Sequence, residues 1–460
     1  MKTLLAPNTR ARSAALGLGT LILVLLFTQF VLPGGAGGGR GTPVAMLFLG
    51  LTMGLVNSLT AVGLVLVYRT VRVINFAQTA LGAVGGLLFF DVVRFTKIPF
   101  VIAFAAALVV AVAVGALFDI VLRRFQNASR LIVMVFTVAV ATLIGATVAQ
   151  IVRSIPLVPE DASLEASLGG GQLRPFLPFP GFEFRIGDLN FPFGFPEVFA
   201  LEVVTITLII VGAIFKFTKV GVAMRAMAGN VERAALLGIS VGAVTMTTFI
   251  IAAVLGTIST MMTGAITTPG SAFGIAPGVL LPALAAAVIA RFDRIPTAVI
   301  AAVLIRVVSQ AFVYSYDEHA RLVDVAIFLI IGVGLFFQRK RLGRSEAAGG
   351  VSWQTVDEPR PIPKELSGVA TVRIARWAII VIGALAVIIY PFLAGTGNTV
   401  LGSGIVLSAI VTLSIVVLTG WSGQVSLGQF GFYAIGAVLG GALSSRLGIP
   451  GGFWVAVPLA

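Results

Sequence analysis

The sequence predicts an all-α polytopic membrane protein, and three observations carry that expectation. Of 460 residues, 58% are hydrophobic and 11% charged, where a soluble domain carries roughly 25% charged residues; the mean hydropathy is +1.07. Apolar runs of about 20 residues, the length that crosses a bilayer core, follow one another along most of the chain. The basic residues sit in short connections between these runs and favour alternate ones, as cytoplasmic loops do. The net charge of +13 therefore belongs to loops at one face of a lipid bilayer, and no nucleic acid partner is expected.

The first apolar run, 13–32, follows Lys2, Arg10 and Arg12 and precedes a glycine-rich stretch, 34–41. Its core exceeds the roughly 7 to 15 apolar residues of a signal sequence, so 1–43 reads as an uncleaved additional helix with its linker. Further spans are predicted at 44–67, 74–93, 98–122, 131–152, 198–217, 241–262, 277–290, 295–313 and 322–337. The run 277–290 is short for a crossing and holds Pro282, which points to a kinked, tilted or re-entrant element.

In the span 74–93, Asn75 and Gln78 are three residues apart, which predicts both amides on one face of a helix. An amide buried in hydrocarbon needs a partner, a polar cavity or a protein seam. Ala80, Gly82, Ala83, Gly85 and Gly86 allow neighbouring backbones to approach closely. The helix is then either a packing element with two satisfied amides or one that lines a substrate path.

With the N-terminus placed in the cytoplasm, alternation puts Arg69, Arg72, Arg123, Arg124, Arg130, Lys216, Lys219, Arg225 and Arg233 inside, together with Arg291, Arg294 and the cluster 339–344. Only Arg94 and Lys97 run against this. The outside segment 153–197 is acidic by comparison, and the alternation of Phe182, Phe184, Ile186 and Leu189 predicts a small hairpin. It either caps the external mouth, meets an external partner or simply connects two spans.

Residues 338–376 are polar, contain Pro359, Pro361 and Pro363, and read as a cytoplasmic linker between two membrane domains. The second domain, 377–460, offers runs at 377–393, 400–419, 425–443 and from 453 onward; the last has only eight residues, so this domain is expected to be truncated. Within it, 423–441 weakly repeats the first amide-bearing stretch: laying Gln429 over Gln78 also lays Ser426 over Asn75, Ala434 over Ala83 and Gly436 over Gly85. Repeated halves with the path at their interface are a common transporter design.

The loop 218–240 is predicted to hold a short amphipathic helix, with Val222, Ala226, Val231, Ala234 and Leu237 on one side, Arg225, Glu232 and Arg233 towards water, and Gly238 as its cap. Such a helix is a connector or a knob for a cytosolic partner.

Several chemistries are excluded. The absence of cysteine removes disulfides, thiolate metal sites and thiol nucleophiles. The single histidine, His319, stands in a polar turn and cannot form a histidine-rich metal site. No lysine follows a glycine, so there is no Walker A site. Asp91, Asp119 and Asp324 lie near span ends and read as ion-paired or snorkelling groups, with Asp324 opposite Arg306. No nucleophile has a neighbouring base, so no catalytic residue, metal or cofactor is expected.

At these residues the chain resembles the branched-chain amino-acid ABC transporter permeases of LivH and LivM type. Gly50 to Ser58 and Ala61 to Gly86, including R-V-I-N-F-A, are similar to the LivH amino-terminal signature. The loop from Gly221 to Ile239, with G-x-x-x-R-A and A-x-L-x-G-I, resembles the LivH coupling loop, and G-x-x-G-Q-x-S-L-G-Q with A-I-G-A near 418–441 resembles LivM.

The resemblance implies a fusion of two homologous permease domains, LivH-like at 44–337 and the start of a LivM-like one at 377–460, in a bacterial inner membrane. It implies two cytosolic ABC ATPase subunits that bind ATP, an extracytoplasmic substrate-binding protein, a path near Asn75, Gln78, Ser426 and Gln429, and ATPase coupling through Gly221, Arg225, Ala226, Ala234, Leu236, Gly238 and Ile239. The extra first helix, an altered glycine-rich element near 277–294 and the missing second coupling loop depart from the pattern. The chain 1–460 is therefore expected to lack one ATPase docking site. Import of urea, short amides or simple sugars, and ATPase-independent transport, are the competing readings.

Overall fold

The computed structural model describes residues 42–96, 98–125, 130–154, 183–185, 192–267, 277–316, 370–393, 395–422 and 429–447, with Thr28 and a few positions in 323–332 besides. The predicted helix 13–32, His319, Asp324, Ser426 and most of the linker 338–376 lie outside the described residues. The chain divides into two compact units, Met1–Asn127 with Ile132–Ala348, and Gly349–Ala460 with Ala128–Leu131.

Apolar residues without a breaker make α1 (Val44–Val71) a long helix that is hydrophobic all round, so it occupies the centre of the first unit. There follow α2 (Gln78–Phe95), α3 (Phe100–Leu122), closed by a 3-10 turn at Arg123–Phe125, and α4 (Arg130–Ser154). A ladder of β1 (Glu183–Arg185) on β2 (Pro192–Gly194), with Phe184 opposite Phe193, leads into α5 (Phe195–Phe217). This is the small hairpin that the alternation of Phe182, Phe184, Ile186 and Leu189 predicts, with its second strand at 192–194.

Two short helices, α6 (Lys219–Gly229) and α7 (Val231–Leu236), precede α8 (Val241–Ile266), α9 (Pro277–Ile289) and α10 (Ile295–Ser315). Among the described residues six helices, α1, α2, α3, α5, α8 and α10, are long and apolar enough to cross a membrane. The 13 residues of α9, with Pro282 inside, extend about 20 Å at 1.5 Å per residue, short of a roughly 30 Å hydrocarbon core.

Helix α1 packs on α10, α8, α9 and α5, while α8 also meets α2 and α3. Glycine sets the closest crossings: a Cβ on Gly54 would stand 2.5 Å from Val303 Cα of α10, and one on Gly82 of α2 would stand 2.4 Å from Gly256 C of α8. Hydroxyl groups bind α1 to α8. Thr60 Oγ1 donates to Ser259 Oγ (3.0 Å), Ser259 Oγ to Val56 O (3.0 Å), and Thr248 Oγ1 meets Thr70 Oγ1 at 3.3 Å. In contrast α3 and α5 leave Val101, Ile102, Val109, Ile206, Ile209 and Ile210 exposed, as lipid-facing helices do.

Arg69, Arg72 and Arg123 gather at one end of this unit. Arg72 at the end of α1 reaches α6, Arg69 lies 3.9 Å from Asp293 in the α9–α10 turn, and Arg123 after α3 donates to Gly242 O of α8 at 2.6 Å. Four connections between spans thus share one face, as alternation requires.

The second unit holds α11 (Ala370–Leu393), α12 (Thr396–Ser422) and α13 (Gln429–Leu447). Helix α11 starts before the predicted linker boundary because 370–376 contains no breaker and its arginines tolerate a helix end. Shifted by 351, the difference between 429 and 78, α12 falls on 45–71 and α13 on 78–96, against 44–71 and 78–95 for α1 and α2. The weak sequence repeat is therefore matched in helix boundaries to within one residue.

Candidate functional site

Residues 72–77, between α1 and α2, form a non-helical turn in which Val73, Asn75 and Ala77 are buried and Arg72 is exposed. Arg72 begins it in the left-handed conformation, φ 60°, and its N–H donates to Tyr68 O at 2.8 Å, which ends α1. Asn75 Oδ1 accepts the Ala77 N–H at 3.0 Å, an Asx turn that starts α2. Asn75 Nδ2 approaches Gln78 Oε1 at 3.4 Å, and Gln78 Nε2 donates to Ala252 O of α8 at 2.7 Å. Phe76 N–H donates to Thr137 Oγ1 of α4 at 3.2 Å.

This corrects the expectation that both amides share a helix face. The helix begins at Gln78, and Asn75 stands in the preceding turn because its side chain competes for the backbone N–H groups that would extend the helix. The two amides still meet, and they are 2% and 0% exposed. Gln78 fills the seam between α1, α2 and α8, where a Cβ on Gly63 would stand 2.6 Å from its Nε2. Gln429 opens α13 as Gln78 opens α2.

The loop after α5 is built from two helix starts. Thr218 Oγ1 accepts the Gly221 N–H at 3.2 Å, and Asn230 Oδ1 accepts the Arg233 N–H at 2.9 Å, each satisfying a free donor of a first turn. Extended Asn230 breaks the predicted single helix in two. The buried side is consequently Gly221 with Met224, Met227 and Ala234, of which the last three pack with Val244, while Ala226 and Ile239 lie against that cluster. Val222 and Leu237, expected on the buried side, are 55% and 80% exposed, because one helical period does not run through Asn230.

Gly221 fits where a Cβ would stand 2.4 Å from Phe215 O, and the exposed Arg225 guanidinium donates to that same carbonyl. Arg225 is thus a staple across the α5–α6 turn, a contact hidden from the sequence. Gly238 fulfils its predicted cap: at φ +83° its N–H donates to Ala235 O (3.0 Å) and the Ile239 N–H to Ala234 O (3.1 Å), the paired bonds of a Schellman motif. Leu236 is left 87% exposed beside Leu237.

Of the carboxylates read as paired, Asp119 accepts from Arg123 at 2.6 Å. Asp91 is buried in α2 with Oδ2 unpartnered. Among the described residues no group of three histidine, aspartate or glutamate side chains can hold a metal.

No curated protein and no solved structure matches the chain. A family model described as branched-chain amino acid transport system / permease component matches residues 46–335, the stretch that holds α1 to α10, the amide turn and the two-helix loop. With six apolar helices and a match over more than half of its length, this chain is a multi-pass membrane protein that belongs to the permease components of branched-chain amino acid transport systems.

Proposed function

We propose that the chain is the permease of an ATP-driven importer for branched-chain or related amino acids, energised by cytosolic ABC ATPase subunits and supplied by an extracytoplasmic binding protein. The observation that carries this reading is the α6–α7 loop in a member of the permease family. It is anchored underneath by Met224, Met227 and Ala234 and capped by Gly238, yet presents Leu236 and Leu237 at the face where the basic bends gather. Large apolar side chains at a charged membrane face fit a protein partner.

The matched boundaries of α12–α13 and α1–α2 support a second, LivM-like permease beginning after the linker, in an inner membrane with the basic face in the cytoplasm. The turn that carries Asn75 and leads into Gln78 is proposed to lie beside the path, with the two amides spent on the packing seam.

Reconstitution with the ATPase subunits and binding protein encoded beside it tests the proposal. Labelled leucine is expected to enter proteoliposomes only with ATP, and Leu236→Glu to lower ATPase association at least tenfold while the permease keeps its gel-filtration profile. Uptake without any ATPase subunit would instead make it a channel or carrier, and uptake of urea in place of leucine would move the substrate class.

A further inference from the structure

We infer that Arg72 is the strut through which the coupling helix α6 moves the transmembrane bundle. This rests on the importer reading above and adds a residue and a route to it.

The carbonyls of the last turn of a helix have no partner within it and carry the negative end of its dipole. Ala228 O is one of these in α6, and it accepts from the Arg72 guanidinium across 156 positions of sequence. Arg72 itself ends α1 with φ 60°. That backbone turn throws its side chain towards α6 while its main chain runs directly into 73–77.

From there the connections are continuous. Val73, Asn75 and Ala77 are buried, so the turn cannot move without its surroundings. Asn75 fixes the start of α2 and touches the Gln78 amide, and Gln78 donates to Ala252 midway along α8. A displacement of α6 is therefore delivered by one guanidinium to a six-residue turn that leads into Gln78 and through it to α8, with a side bond to α4 at Thr137. Such a contiguous set of bonds is a physical route for coupling.

The other polar fastenings do not duplicate it, although Met224 and Met227 of α6 also pack on Val244 of α8. Arg225 ties α6 back to α5, its own neighbour in sequence, and Arg69 and Arg123 tie other bends to each other. Under the shift of 351 residues Arg72 falls on Gly423, so the strut belongs to the first half alone.

The full chain, assembled with its ATPase subunits and binding protein in proteoliposomes, is assayed for labelled leucine uptake and phosphate release together. Arg72→Ala and Gln78→Ala are each expected to cut leucine imported per ATP about fivefold. The double variant is expected to match the worse single one, since both break one route. Arg72→Lys, which still reaches the carbonyl with a cation, is expected to recover at least half of the ratio.

A wild-type ratio in Arg72→Ala, losses that multiply in the double variant, or an Arg72→Lys protein no better than Arg72→Ala would overturn the inference. Should Arg72→Ala not assemble, Arg72→Gln takes its place in the same cycle with the same outcomes. Absence of ATP-dependent uptake in the wild type fails the importer reading instead, and is recognised before any variant is compared.

Discussion

Gln78 donates to a carbonyl 174 positions away and accepts from Asn75, so two amides that lipid would penalise are satisfied inside one seam. Replacing it with leucine removes an interhelical bond worth about 1 kcal/mol in membrane proteins. Gln78→Leu is expected to lower the unfolding midpoint in detergent, and an unchanged midpoint would show the bond to contribute nothing. Gly238 is a second residue with a defined cost. At φ +83° an added Cβ strains the backbone by about 1 kcal/mol. Gly238→Ala should then speed amide exchange across 231–239 about fivefold, with the spans unaffected; uniform exchange in both proteins would contradict it. The cap was legible in the sequence because a Schellman motif is local. The staple from Arg225 to Phe215 was not, because it depends on how sharply α5 turns into α6.

Helix packing separates two kinds of glycine that the sequence presents alike. Gly82 abuts the backbone of Gly256, whereas a Cβ on Gly212 of α5 meets nothing within 4 Å. Gly82→Ala is expected to destabilise the protein by about 1–3 kcal/mol, since neither backbone can yield. Gly212→Ala should be neutral or stabilise by up to about 1 kcal/mol through helix propensity. Thermal unfolding of the two variants in parallel reads the difference, and equal midpoints would refute the close crossing of α2 and α8. At this scale the spans that fall on described residues were readable from length and hydropathy, with ends shifted by a few residues. The start of α2 moved from Ile74 to Gln78 because Asn75 bonds the backbone locally, and the loop helix broke at Asn230 for the same chemical reason.

For the whole molecule, the basic bends on one face predict a single sidedness. Because the chain contains no cysteine, Glu232→Cys gives a clean reporter on the exposed surface of α7. In right-side-out vesicles it is expected to resist a membrane-impermeant maleimide and to react only after the membrane is opened. Labelling from outside would invert the orientation and remove α6 and α7 from any cytosolic partner.

Composition, span length and charge alternation determined by themselves that this chain is a helical membrane protein with a basic face, a capped loop and a repeated helix pair. Each of these is written in residues close together along the chain. Which groups meet was decided only by tertiary structure. Arg72 with Ala228, Gln78 with Ala252 and Thr60 with Ser259 are far apart in sequence, and the Gln78 pairing follows from a crossing that glycine allows to close. Helical periodicity sets which side a residue occupies, while the depth and angle at which two helices cross set its partner.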